Sequence, residues 1–233
     1  MGDRHAMIIP IKNVLSQEQL VHIQNLLAEA EWQDGLQTAG QQSASVKANH
    51  QLAEQSELAQ YLGDQVLDAL STHPLFISAA LPLKIYPPMF NRYQRHETYG
   101  LHVDNAMRVV PGTPVRVRTD LSATLFLSEP DEYKGGELRI EDYCGAKEIK
   151  LSAGDLILYP ATLLHTVKPV VSGCRLASFF WIQSMVRQHE QRSLLFELDQ
   201  SIQSLSQENG HEHPDTLRLS GVYQNLIRQW SDT

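Results

Sequence analysis

His102, Val103 and Asp104 set an imidazole and a carboxylate two positions apart. At the end of an extended strand, the two-residue period turns both groups to one face. A second imidazole, His165, follows downstream, after the run Asp155–Tyr159 and a short turn. Two histidines and one carboxylate form a ligand set that grips Fe(II) on one face. It leaves cis positions open for a bidentate co-substrate and O2. Arg175 comes ten residues after His165, on the next extended run beyond the Ser172-Gly173 turn. An antiparallel return of that length brings the two to the same end of one sheet. A buried guanidinium there suits a bidentate carboxylate partner. Tyr93 precedes the His-x-Asp pair on a neighbouring strand and offers a hydroxyl to the same partner. Its competing account is a core tyrosine with a wet tip. Tyr99 and Tyr159 carry the same two readings. Thr124 and Trp181 face the barrel interior, where packing is their first account.

The His-x-Asp pattern is weak by itself, and the chain supplies its own control. His213-Pro214-Asp215 fits it too, but in a polar stretch beside His211 with no strand to fix its geometry. It reads as solvated loop. His96 is treated as a non-ligand. The first copy is set apart by its context: a strand end, a later histidine after a strand, and an arginine at the right offset.

Positioning these groups requires sheet. Short β-branched or aromatic runs predict strands over 83–86, 89–95, 98–103, 120–128, 137–141, 147–151, 155–159, 164–169 and 175–183. Turn residues separate them, among them Gly135-Gly136, Gly154 and Gly173. That many short strands with no helix between them predict a sandwich or jelly roll rather than a parallel sheet. Helical periodicity flanks the β region on both sides. Residues 16–31 carry Leu20, Ile23, Leu27 and Ala30 behind a Ser16 cap, and 54–71 carry Leu58, Leu62, Val66 and Leu70. After the sheet, 187–206 place Leu194, Leu195, Leu198, Ile202 and Leu205 at helical spacing, and 215–230 form a last helix. The stripe Leu194, Leu198, Leu205 is expected in the core, with self-association into a homo-oligomer as the alternative. The fold class is therefore α+β with a mainly β core. Three segments are expected: 1–83 as helical support, 84–184 as the catalytic core, and 185–233 as a helical C-terminal segment. Met7 reads as the natural start, with residues 1–6 vector-derived and set aside, His5 included.

Composition bounds the rest. The 233 residues carry 19 Lys+Arg against 27 Asp+Glu, a net charge of −8. That balance argues against gripping nucleic acid through bulk charge. The two cysteines, Cys144 and Cys174, exclude a disulfide framework and read as free thiols of a reducing cytoplasm. No apolar run is long enough to span a bilayer. The segment Asn105–Arg118 holds Arg108, Arg116 and Arg118 and no acid, directly after Asp104. It reads as loop. Its role is either a mobile lid presenting cations to an acidic substrate or a solvated surface hairpin.

The combination of His102, Asp104, His165 and Arg175 resembles the iron(II)/2-oxoglutarate dioxygenases. The stretches FNRYQRHETYGLHVDNAMR, RTDLSATLFLSEPDEYKGGELRIED and LSAGDLILYPATLLHTVKPVVSGCRLASFFWIQSMVR extend the likeness. They resemble the bacterial PKHD-type hydroxylases, related to prolyl and lysyl hydroxylases and to proteins associated with iron uptake. The resemblance implies a double-stranded β-helix, Fe(II) held by His102, Asp104 and His165 as the catalytic centre, and Arg175 on the distal carboxylate of 2-oxoglutarate. It implies L-ascorbate as the reductant that keeps the iron ferrous. Lys47 and Asn49 border the pocket on this resemblance alone. The implied activity is hydroxylation of a C–H bond in a peptidyl (Pro- or Lys-like) or small-molecule substrate, with O2 consumed and 2-oxoglutarate converted to succinate and CO2. An intact Asp104 favours hydroxylation over halogenation. The alternatives are a non-catalytic iron or 2-oxoglutarate sensor linked to iron uptake, a nucleic-acid demethylase disfavoured by the acidic balance, and a structural jelly-roll module that leaves the triad unexplained. No nucleic-acid or membrane partner is expected.

Overall fold

The computed structural model describes residues 7–35 and 47–232. The N-terminal part holds β1 (Ile9–Ile11), α1 (Gln17–Ala28), β2 (Gln33–Asp34), β3 (Lys47–Ala48), β4 (His50–Gln51), α2 (Glu57–Ser71) and α3 (Pro74–Ala80). Then come β5 (Pro82–Ile85), β6 (Met89–Tyr93), β7 (Thr98–His102), β8 (Met107–Val109), β9 (Arg116–Arg118) and β10 (Leu121–Phe126). The second half of the β region is β11 (Tyr133–Gly135), β12 (Leu138–Asp142), β13 (Gly145–Ile149), β14 (Leu156–Pro160), β15 (Leu164–Val167), β16 (Val170–Gly173) and β17 (Arg175–Ser184). Helices α4 (His189–Asn209) and α5 (Pro214–Trp230) close the chain.

Two antiparallel sheets form the jelly roll. The larger has eight strands in the order β1-β14-β10-β17-β6-β4-β2, with β5 paired to β17. The smaller runs β13-β12-β15-β7-β3. Strand alternation sorts the side chains of the large sheet into two layers. Leu121, Ala123 and Leu125 of β10, with Leu156, Leu158, Phe180 and Ile182, meet Leu20, Ile23, Leu27, Leu62, Val66 and Leu70 of α1 and α2. The intervening residues point between the sheets, where Phe126, Ile157 and Tyr159 meet Leu138, Ile140 and Val167. Strand β10 is buried on both faces for this reason. Ser16 caps α1 through a full capping box with Gln19.

Several sequence expectations need correction. Residues 105–118, read as a loop with a lid or a surface hairpin as its alternatives, form a hairpin in which β8 and β9 pair, Met107 opposite Arg118. Short strands β1, β11 and β16 and helix α3 escaped the pattern. Pro74 opens α3 at its first turn behind an N-cap at His73, where a proline costs no hydrogen bond. The His213-Pro214-Asp215 copy is built the same way. His213 is an N-cap whose Nδ1 accepts from the Asp215 amide at 3.3 Å, so the copy starts a helix and is not solvated loop. Leu194 is 57% exposed, and the neighbouring Leu195 is the buried one. Residues 1–6 and the 41–46 part of the expected N-terminal loop lie outside the described residues.

Candidate active site

His102 ends β7 and stands opposite His165 of β15 in the register of the small sheet. Antiparallel pairing thus brings the two imidazoles together, with ring centroids 4.3 Å apart. Asp104 lies two residues past the strand end. Its Oδ2 is 3.7 Å from His165 Nε2. One ligand atom from each of the three residues lies within 4.8 Å of the others. His102 Nδ1 sits 2.8 Å from the Gly100 carbonyl, and His165 Nδ1 3.0 Å from the Leu163 carbonyl. A carbonyl only accepts, so each Nδ1 carries the proton and donates. Both Nε2 lone pairs are left for a metal. Burial, and then the neighbouring His165, push His102 down to about 4, so it is neutral at pH 7. Ser122, reaching across from β10, donates its hydroxyl to Asp104 Oδ2 at 2.5 Å. Tyr99 stacks on His102 at 3.7 Å between centroids, and Tyr159 meets His165 edge-on at 5.2 Å.

Arg175 opens β17, opposite Tyr93 of β6. It is 1% exposed, and none of its guanidinium nitrogens has a hydrogen-bond partner among the described residues. The guanidinium lies 5.4 Å from the Tyr93 ring centroid and 5.3 Å from that of Phe126. A buried charge with no partner costs several kcal/mol, so this arrangement is fitted to an anion that enters the cavity. Asn49 and Asn91 line the same cavity, and among the described residues both amide atoms of Asn49 and Oδ1 of Asn91 are, like the guanidinium, without a hydrogen-bond partner. Burial pushes the phenols of Tyr93 and Tyr159 far up, and Asp104 adds to the rise at Tyr159, so both stay protonated donors at neutral pH. Gly136 makes room for Arg175. At its φ of +67°, a Cβ would sit 3.2 Å from Arg175 Cδ and 3.0 Å from Val170 Cγ2.

All five residues singled out from sequence, His102, Asp104, His165, Arg175 and Tyr93, line one cavity, and so do Lys47, Asn49, Tyr99, Thr124, Tyr159 and Trp181. His165 and Arg175 do not share one sheet. His165 belongs to the small sheet and Arg175 to the large one, so they face each other across the barrel. Strand β16, paired to β11, intervenes and carries the chain across. His96 is in a turn at φ 71° and takes no part. Sequence reasoning did not find Ser122, Gln51 or Asn91, which also line the cavity. Small polar residues inside a strand give no spacing signal, although Ser122 interrupts the apolar run of β10.

The donor set (two imidazoles, one carboxylate and open space opposite) fits a divalent transition metal. The unpartnered Arg175 fits a carboxylate-bearing co-substrate. Residues 88–183 match the 2OG-Fe(II) oxygenase superfamily, and residues 189–232 match the PKHD-type hydroxylase C-terminal domain. A PKHD-type hydroxylase of Saccharophagus degradans is 58% identical over 97% of this chain and 100% of its own length. One from Burkholderia lata is 56% identical over the same shares. Among solved structures, a Pseudomonas putida prolyl-4-hydroxylase matches 77% of this chain and 93% of its own at 21% identity and a TM-score of 0.50, a likeness of fold.

Proposed function

Since the chain belongs to the PKHD-type hydroxylases of the 2OG-Fe(II) oxygenase superfamily, we propose that His102, Asp104 and His165 are its Fe(II) ligands and that Arg175 and Tyr93 receive 2-oxoglutarate. The protein is an Fe(II)- and 2-oxoglutarate-dependent dioxygenase. The observation that carries the site assignment is the buried, unpartnered Arg175 in the same cavity as the preformed triad. When bound, the metal and 2-oxoglutarate supply the oxidising power: O2 is divided between succinate and the hydroxylated C–H carbon, with loss of CO2.

The chain's own residues perform the remaining work. Asp104 contributes the negative ligand, and the Ser122 hydroxyl holds one of its oxygens. The Gly100 and Leu163 carbonyls retain the imidazole protons on Nδ1. Tyr99 and Tyr159 fix the two ring planes by contact. Arg175 orients the distal carboxylate of the co-substrate by charge-assisted hydrogen bonds, and Tyr93 donates beside it. Met89, Phe179 and Trp181 give the cavity an apolar wall on the large-sheet side. Residues 84–184 carry the proposed ligands and Arg175, and the segment before them adds not only helices but strands β1–β4 to the sheets and Lys47, Asn49 and Gln51 to the cavity wall. The prime substrate is a peptidyl or small-molecule C–H donor, and L-ascorbate serves as external reductant, a role resting on family resemblance. The free thiols Cys144 and Cys174 support a reducing, cytoplasmic setting. Among the described residues no helix is long and apolar enough to cross a membrane. The sensor alternative gains no support from relatives that carry hydroxylase names.

The test is anaerobic loading with Fe(II) and 2-oxoglutarate, then aeration in cell extract. Mass spectrometry should find a product heavier by one oxygen atom, with matching succinate. His102→Ala should abolish it and keep the fold. Product formation by His102→Ala would overturn the ligand assignment.

A further inference from the structure

Strand β17 sets the two ends of the cavity. Ser122, whose hydroxyl holds Asp104, stands opposite Trp181. Tyr93 stands opposite Arg175, the first residue of the strand. Asp104 is thus anchored at one end and Arg175 rooted at the other. Asn49 belongs to the Arg175 end. It follows β3, where Lys47 pairs with Tyr99 of the small sheet, and precedes β4, where His50 pairs with Arg92 of the large one. The chain crosses from sheet to sheet at this residue. One step along the register from His50 and Arg92 lie Asn49 and Tyr93. Asn49 is 4% exposed and lines the cavity. Asp104 is the one carboxylate among the described residues that line it.

The Asn49 carboxamide is seated but not bonded. Neither Nδ2 nor Oδ1 has a hydrogen-bond partner among the described residues, and burying such a group unpaired is unfavourable. A Cβ on Gly35 would run into Oδ1, so the oxygen fills space that glycine alone leaves. The Gly35 amide donates to the Asn49 carbonyl at 2.9 Å and fixes the backbone there. Gly35 does not line the cavity. A carboxamide is planar, with Nδ2 on the other arm from Oδ1, so Nδ2 is the arm turned to the cavity. The amide also acts on Tyr93. Burial pushes that phenol up, and Arg175 and then Asn49 oppose the rise. Guanidinium, hydroxyl and amide N–H therefore gather about one place. All three donate, and the guanidinium and the N–H can do nothing else. Such a set suits a carboxylate, whose two oxygens only accept.

We propose that Asn49 is a co-substrate-binding residue, its Nδ2 donating to the distal carboxylate of 2-oxoglutarate beside Arg175 and Tyr93. The inference rests on the co-substrate reading above, which gives Arg175 to 2-oxoglutarate. A neutral donor holds the carboxylate without adding charge to the pocket. It also selects the diacid over a 2-oxo acid with an apolar tail, which would leave Nδ2 buried and unpaired.

The test uses protein loaded with Zn(II), which does not turn over, and calorimetric titration with 2-oxoglutarate and with 2-oxovalerate. The second acid has the same 2-oxo acid head and five-carbon chain but ends in a methyl group. Asn49→Ala should lower 2-oxoglutarate affinity about tenfold and leave 2-oxovalerate and Zn(II) affinity within about twofold. Asn49→Asp, which keeps the size but replaces the donor with a negative acceptor, should bind 2-oxoglutarate more weakly still. It stands in if Asn49→Ala does not melt cooperatively. Unchanged 2-oxoglutarate affinity in Asn49→Ala would overturn the proposal. So would an equal loss for both acids, the mark of a merely structural role, or Asn49→Asp binding 2-oxoglutarate like the parent. Failure of the parent to bind 2-oxoglutarate, or Arg175→Gln binding it like the parent, would instead overturn the co-substrate reading, and the proposal with it.

Discussion

At the scale of single residues, the two imidazoles of the centre keep their Nδ1 protons on backbone carbonyls, so their tautomers are set before a metal arrives. Asp104 is held through the Ser122 hydroxyl. Ser122→Ala should weaken Fe(II) affinity about 10- to 100-fold, the usual cost of losing an outer hydrogen bond to a ligand, as read by anaerobic titration. Arg175→Gln should cost about 2 kcal/mol or more in 2-oxoglutarate binding, roughly thirtyfold, with Fe(II) affinity unchanged. His102 gives stability a pH dependence. Its folded value is about 4, against an unfolded value of about 6.5. Between those values the unfolded chain binds more protons than the folded one. The metal-free protein should therefore lose stability as pH falls from about 6.5 toward 4, with no further loss from this group below that, as followed by thermal melting. His102, Asp104 and His165 were legible as a set because a His-x-Asp at a strand end was joined by a later histidine after a strand, whereas Arg175 was picked out by its type and by a spacing that put it in the wrong sheet. Ser122 was not, because a serine in a strand declares nothing until its partner across the barrel is known.

At the scale of elements, the site depends on where strands end. His102 is the last residue of β7, and Arg175 the first of β17. The turn before Arg175 is unforgiving. Gly173 has φ 82°, and a Cβ there would run into the Glu132 carbonyl oxygen. Gly173→Ala should cost about 1–3 kcal/mol in urea denaturation and weaken 2-oxoglutarate binding more than metal binding. Strand positions were readable from alternating side chains wherever one face is buried. Strand β16 was not, because only its first residue is buried and the other three are exposed. Missing it put His165 and Arg175 in one sheet. The β8–β9 hairpin was one of two readings open for its segment, because Pro111, Gly112 and Pro114, which mark its tip, carry no strand signal. Its arginines point to different partners. Arg108 faces the cavity, whereas Arg118 is bound to Asp120 at 2.7 Å and lies 3.6 Å from Asp232. The three do not act as one cationic patch.

At the scale of the whole molecule, the C-terminal helices are tied to the barrel through Leu81, Val186 and Leu195, and through Asp232, whose amide donates to the Met185 carbonyl at 2.8 Å. Leu195 is fully buried, and Leu195→Ala should cost about 2–5 kcal/mol in urea denaturation. Helical periodicity announced these two helices. It placed Leu194 inward, because adjacent leucines at a helix face cannot be ranked without the partner surface. The net charge of −8 likewise said little, since a total does not tell which charges line the cavity, where Lys47, Arg108 and Arg175 stand with Asp104. The central claim is that one chain binds one Fe(II) through His102, Asp104 and His165, beside 2-oxoglutarate on Arg175. Anaerobic calorimetric titration of Fe(II) into protein with 2-oxoglutarate, the parent against Asp104→Ala, tests it most directly. The account predicts one Fe(II) per parent chain and a large loss of affinity in a variant that still melts cooperatively. Equal Fe(II) affinity in the two proteins would contradict it.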